Sequence, residues 1–339
     1  DTAWLFYTSG TTGMPKGAML THRNLLAMTM GFYADMCPGF GTAEVVLHAA
    51  PLSHGSGLYA LPNVGKAAAH IIPESPSFDP EDALQAIEIH RVTNFFAAPI
   101  MVKRLVDSPA VDRCDHSSLK AMIYGGAPIL AEDLRRAVEK LGPCLVQLYG
   151  QGESPMTISY LPHDDHILEG DATQMRRLSS AGIARTDVEV QIFDADDQPL
   201  PPGQSGEIVT RSDLVMKGYW RDPEATALPL RNGWLHTGDL GYLDEQGYLF
   251  LMDRCKDLII SGGENIYPRE IEEVLVRHPA VDEVAVIGVP DPQWGESVKA
   301  VVALVPGRSA TPDELIDFCR DHIASYKKPK SIDFIAEIP

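Results

Sequence analysis

Four times in the first 150 residues an apolar, strand-like run breaks off into small, polar or glycine-rich residues: after Tyr7, Ala50, Tyr124 and Tyr149. Helical periodicity over Asn24–Met36 and Ala131–Leu141 separates these runs. The resulting βαβα rhythm predicts a mainly parallel sheet covered by helices, an α/β fold. Strands are expected at Ala3–Tyr7, Val45–Ala50, Phe95–Ala98, Leu119–Tyr124 and Cys144–Tyr149. Pro99 closes the third, and Asp79 or Glu81 starts the helix after the Pro73–Pro80 loop. Ligands of such sheets gather at the carboxyl ends of strands. The chemistry is therefore expected in the loops after these four residues.

The first of these loops is the densest. Thr8-Ser9-Gly10-Thr11-Thr12-Gly13-Met14-Pro15-Lys16-Gly17 follows the opening apolar run, which reads as a buried strand. Glycine tolerates positive φ, so backbone N–H groups can turn inward. Four hydroxyls and the Lys16 charge add donors, a combination suited to a polyanionic phosphate. The spacing is not that of a Walker A loop, which needs Gly-Lys followed by Ser or Thr. Gly/Ser/Thr clusters are ordinarily turns, and the loop alone leaves the nucleotide open.

With 28 basic and 47 acidic residues among 339, the net charge of −19 argues against a nucleic-acid or anionic-membrane surface. The five cysteines are scattered and contain no Cys-x-x-Cys, which fits a reducing compartment and offers no metal knot. No apolar run approaches the ~18 residues of a membrane span, and no signal peptide is visible. A cytoplasmic protein without an integral membrane segment is expected; a homodimer is compatible with this reading.

From about Arg176 the texture changes to short strands and turns, Val188–Phe193, Gly206–Arg211 and Gly241–Met252. These suggest a small β subdomain over about 176–252. A third texture follows Asp253–Lys256: strand Leu258–Ile260, helix Pro268–Arg277, strands Val284–Val289 and Val298–Val305, helix Pro312–Ala324 and strand Ile332–Ile335. The expected division is a core over 1–255, incomplete at its start, and a mobile C-terminal α+β domain over 256–339, incomplete at its end. His163-Asp164-Asp165-His166 has a metal-like composition. Four consecutive residues in a turn cannot easily converge on one ion, so a solvated loop is expected. Taken singly, Glu153 could be a surface carboxylate, Tyr149 a core aromatic, Asp239 a turn or capping residue, His54 a structural histidine and Asp253–Lys256 a solvated charge cluster.

Six stretches in order carry a resemblance: the opening loop, Gly125-Gly126-Ala127-Pro128, Tyr149–Glu153, Gly206–Tyr219, Gly233–Asp239 and Asp253–Pro268. Together they resemble the adenylate-forming (AMP-binding) superfamily, in its acyl-CoA synthetase and fatty-acid–CoA ligase branch. The resemblance implies an ATP-dependent acid–thiol ligase. It would form acyl-CoA from a fatty or other apolar carboxylic acid through an acyl-adenylate, releasing AMP and pyrophosphate, with ATP, Mg²⁺ and coenzyme A. It implies metal contacts at Thr8 and Glu153, and β- and γ-phosphate contacts at Ser9, Gly10, Thr11, Thr12, Gly13 and Lys16. Adenine contacts fall on Gly125, Gly126 and Tyr149, further cofactor contacts on Ala127, Pro128 and Gly150, and ribose contacts on Asp239 and Arg254. Lys16, His54 and Glu153 are the implied catalytic residues, His54 lying near the acid and the phosphate. Lys256 is the implied hinge, and Gly262, Gly263 and Glu264 line the implied coenzyme A channel.

One position departs from the pattern. The residue before the glutamate is commonly Thr in the family; here it is Gly152, expected to contribute backbone only. The family's adenylation lysine lies shortly beyond the last residue here, so the resemblance implies truncation at both ends and poor acyl-adenylate formation. An amino-acid or aryl-acid adenylation domain and a nucleotide-binding remnant are the alternatives.

Overall fold

The opening apolar run pairs with its own continuation. In the computed structural model, which describes residues 1–8, 15–37, 39–75, 77–127, 129, 131–254, 257–261 and 264–338, strand β1 (Thr2–Thr8) lies antiparallel to β2 (Lys16–Thr21). Tyr7 opposes Gly17, and Thr8 opposes Lys16. This corrects two expectations. Lys16 opens a strand, and of the five apolar residues Ala3–Tyr7 only Phe6 is buried. Alternate residues of a two-stranded ribbon point to opposite faces, so Tyr7 stays 63% exposed.

A capping box at Thr21 and Asn24 starts α1 (His22–Gly31), which passes into a π-helical turn at Phe32–Met36. There follow β3 (Val45–Leu47), α2 (Gly55–Gly65), β4 (Ala69–Ile71), α3 (Pro80–His90), β5 (Asn94–Ala97) and α4 (Pro99–Asp107). Next come β6 (Ala121–Gly125), α5 (Ala131–Leu141), β7 (Leu145–Gln151), β8 (Ser154–Leu161), α6 (Ala172–Arg176) and β9 (Ile183–Ala184). Among the described residues these strands form a sheet in the order β4-β3-β5-β6-β7-β8-β9, parallel up to β7 and antiparallel beyond it. Every residue of β5 and β6 is buried, as central parallel strands covered on both faces should be.

Asp79 caps α3 by accepting the N–H groups of Glu81 and Asp82, as expected. Helix α2 carries no helical signature in the sequence. Its Gly-Ser-Gly start and internal Pro62 are poor helix formers, and it forms because Leu58, Tyr59, Pro62 and Asn63 are buried.

The chain continues through β10 (Glu189–Phe193), β11 (Gly206–Arg211), α7 (Pro223–Ala227), β12 (Leu230–Arg231), β13 (Trp234–Leu243) and β14 (Leu249–Arg254). The order is β10-β11-β13-β12, with β14 on β13. The single strand expected at Gly241–Met252 is instead two, joined by a turn in which Gly247 takes φ +85°.

By compactness the chain divides into Asp1–Thr237 with Tyr242–Phe250, and Gly238–Gly241 with Leu251–Pro339. The second unit contains β15 (Ile259–Ser261), β16 (Glu264–Ile266), α8 (Pro268–Leu275), β17 (Val281–Asp291), β18 (Gly295–Leu304), α9 (Pro312–His322) and β19 (Ser331–Ile335). Its sheet runs β16-β15-β18-β17, with β19 parallel to β18. Ile271, Leu275, Val286, Val298, Val302, Leu315 and Cys319 belong to its core. Among the described residues no helix is long and apolar enough to cross a membrane.

Candidate active site

The carboxyl end of β7 delivers Glu153, and three distant segments meet on it. Thr8, the last residue of β1, donates its hydroxyl to Glu153 Oε1 at 3.1 Å. Tyr219 donates to the same oxygen at 2.6 Å. Glu153 is 9% exposed, and among the described residues it has no ion-pair partner. A buried carboxylate flanked by neutral donors alone keeps its charge available to a cation.

Backbone pairing with β2 fixes Tyr219. Met19 N–H donates to Gly218 O at 2.8 Å, Lys217 N–H to Met19 O at 3.0 Å and Trp220 N–H to Gly17 O at 2.8 Å. Residues 217–220 thus lie as a third strip beside the opening hairpin. Lys16 Nζ sits 5.3 Å from the centre of the Tyr219 ring, on its face. Burial first, and Glu153 second, push the Tyr219 hydroxyl far above its ordinary value, so it remains a donor.

Gly152 makes this convergence sterically possible. A Cβ there would stand 2.3 Å from Thr8 Cγ2 and 2.8 Å from Phe6 Cδ1. The backbone-only contribution expected of Gly152 therefore has a packing reason: the end of β1 occupies the side-chain space. The Phe6 ring stacks on His54 with centroids 5.3 Å apart and planes 26° apart. His54 is the N-cap of α2, exposed on its other side.

Gly125 and Leu148 are register partners, so the carboxyl ends of β6 and β7 lie side by side. At Gly125 a Cβ would meet Leu148 O at 2.4 Å, so the neighbouring strand itself demands glycine. Gly126 differs, with φ +86° and open space around it, and Ala127 is exposed. Tyr149 is 8% exposed, within β7 beside Gly150.

In the second unit Asp239 lies inside β13, not in a capping turn, and its Oδ1 is 3.4 Å from Arg254 Nε. Gly238 before it takes φ +72°, a backbone conformation that favours glycine. Glu264 is exposed on β16. Ser9, Gly10, Thr11, Thr12, Gly13, Pro128, Lys256, Gly262 and Gly263 lie outside the described residues.

The His163–His166 side chains diverge. His166 Nε2 meets the Tyr124 hydroxyl at 2.9 Å, Asp165 takes Arg177 and Tyr248 at 2.8 Å each, and His163 faces Asp164 at 3.0 Å. Burial lowers the His166 pKa to about 4. Among the described residues no group of three or more His, Cys, Asp or Glu is arranged to hold a metal. Sequence reasoning assigned no role to Phe6 or Tyr219. Tyr219 closes the Gly206–Tyr219 stretch, but nothing local marks its partner, since Glu153 is 66 residues away in the chain.

Comparison with known proteins places residues 1–220 in a family described as AMP-binding enzyme, and residues 270–339 in its C-terminal domain, described as AMP-binding enzyme C-terminal domain. A feruloyl-CoA synthase of an Amycolatopsis species is 42% identical over 100% of this chain and 67% of its own length. A long-chain-fatty-acid–CoA ligase of Bacillus subtilis is 41% identical over 100% of this chain and 59% of its own. The structure of o-succinylbenzoate CoA synthetase (MenE) from Bacillus subtilis, in complex with ATP and magnesium ion, matches with a TM-score of 0.88 at 36% identity. That match covers 100% of this chain and 67% of the other. The chain is thus shorter than these relatives, spanning 59 to 67% of their lengths.

Proposed function

The chain belongs to the AMP-binding enzyme family, and from that premise we propose that it serves ATP-dependent ligation of a carboxylic acid to the thiol of coenzyme A. The reaction proceeds by attack of the acid on the α-phosphate of ATP, with loss of pyrophosphate. Thiol displacement of AMP from the acyl-adenylate follows. The observation that carries this reading is Glu153, a buried carboxylate without a described counter-ion at the carboxyl edge of a parallel sheet.

Mg²⁺ fits this donor set. It prefers one or two carboxylate or hydroxyl oxygens together with substrate phosphates, and Glu153 and Thr8 offer that pair. When bound, the ion supplies countercharge to the phosphates during anionic attack. Lys16 at the start of β2 adds a second positive charge for the same polyanion, with Ser9, Gly10, Thr11, Thr12 and Gly13 completing the motif. Gly125, Gly126 and Tyr149 are proposed for adenine, with Ala127, Pro128 and Gly150 as further cofactor contacts, and Asp239 and Arg254 for the ribose hydroxyls. His54, stacked on Phe6, presents an exposed imidazole to the incoming acid. Lys256 as hinge, and Gly262, Gly263 and Glu264 for coenzyme A, rest on their motif alone.

The acid is proposed to be fatty or otherwise apolar. An aryl acid is the second reading, favoured by the 42% identity to a feruloyl-CoA synthase. Incubation with ATP, Mg²⁺, coenzyme A and parallel panels of fatty and aryl acids tests both. Acid-dependent AMP release that needs coenzyme A, with a thioester seen by mass spectrometry, is expected. Acid-dependent pyrophosphate without a thioester points to an adenylation domain, and an absence of ATP binding overturns the proposal.

A further inference from the structure

We propose that Tyr219 is a positioning residue: its hydroxyl locks the Glu153 carboxylate in the orientation that a small, geometrically demanding cation needs. The inference rests on the reading of Glu153 given above. The terminal torsion of a glutamate is broad and roughly two-fold, so a single donor leaves the carboxylate free to swing. Here two hydroxyls bind one oxygen, Thr8 at 3.1 Å and Tyr219 at 2.6 Å, and among the described residues no hydrogen bond occupies Oε2.

The two donors differ in rigidity. Thr8 ends a strand, while Tyr219 is gripped through its backbone by β2 on one side and by Thr226, whose hydroxyl accepts the Tyr219 N–H at 2.8 Å, on the other. The Lys16 ammonium rests on its ring. The shorter bond comes from the better-held donor. A neutral phenol so placed restrains the carboxylate without neutralising it, whereas an arginine in the same place would cancel the charge that a cation needs.

Tyr219→Phe removes the hydroxyl and keeps the ring, its contact with Lys16 and the backbone bonds. ATP binding to the full chain is measured by calorimetry in EDTA, in Mg²⁺ and in Ca²⁺. Mg²⁺ demands near-ideal octahedral geometry, whereas Ca²⁺ tolerates irregular sites. The variant is expected to bind ATP in EDTA as the wild type does and to lose about tenfold of the Mg²⁺-dependent gain in affinity. It should lose no more than about threefold of the Ca²⁺-dependent gain. Equal losses in all three conditions would reduce Tyr219 to a structural residue, and no loss in Mg²⁺ overturns the proposal; both leave the assignment of Glu153 standing. Wild-type binding indifferent to both ions removes the cation site, and this inference with it.

Discussion

Two buried carboxylates of the first unit are held in opposite ways. Asp35, in the π-helical turn after α1, is saturated. Arg185 Nε reaches it at 2.7 Å, Thr186 N–H at 3.0 Å and the Thr186 hydroxyl at 2.6 Å, and both members of the ion pair are at most 5% exposed by side chain. Glu153 receives two neutral hydroxyls on one oxygen. A countercharge built into the fold marks a carboxylate that serves the fold. Glu153, met among the described residues only by hydroxyls, is the carboxylate proposed to hold a cation. The π-turn is often a functional marker, but here the saturated Asp35 assigns it to packing.

The largest expected effect comes from breaking the saturated pair. Arg185→Met strands Asp35 in the interior and should cost about 3–5 kcal/mol by urea denaturation. A loss below about 1 kcal/mol would show that the pair is not the anchor its contacts suggest. Crowding the other carboxylate comes next. Gly152→Thr puts a side chain into space held by Thr8 and Phe6, costing about 1–3 kcal/mol. Adding Phe6→Ala should return part of that cost, and strict additivity would refute the steric account. Glu153→Gln is expected to change stability by less than about 1 kcal/mol, because the amide oxygen still accepts both hydroxyls. The same variant should abolish the Mg²⁺-dependent part of ATP binding. A Gln variant as destabilised as Arg185→Met would erase the contrast between the two carboxylates.

A neutral buried group sharpens the contrast by pH. His48 faces Ser56 through Nδ1 at 2.8 Å and His70 through Nε2 at 2.9 Å. Burial, then His70, lowers its pKa to about 4. The unfolded histidine binds a proton near 6.5 and the folded one does not, so stability should fall as pH drops from about 6.5 toward 4. His166, lowered likewise, adds to this slope. His48→Gln should flatten the slope of unfolding free energy against pH, and an unchanged slope would rule His48 out as a contributor.

The parallel strands were legible because β5 and β6, buried on both faces, read as nearly continuous apolar runs, with Asn94 the polar start of β5. Helix α5 falls at its expected bounds because its apolar residues keep a helical period. Strand β2 was hidden: Lys16-Gly17 reads as the end of a loop, and pairing with β1 decides the matter. At Gly125 the demand for glycine comes from Leu148 on the next strand, a neighbour that the local sequence does not reveal. The Tyr219–Glu153 bond left no trace, since a tyrosine in a chain signals packing and gives no hint of its partner 66 residues away.

The register of the opening hairpin makes the site a matter of odd and even. Phe6 and Thr8, two residues apart, share the face that touches Gly152, while Tyr7 between them points outward. One residue inserted ahead of Phe6, with Thr2–Leu5 held in place, would send its aromatic ring to solvent and bring the inserted residue against His54. Two inserted residues would restore the facing. Such a length series should therefore alternate between loss and recovery of nucleotide binding, while composition and charge stay almost constant.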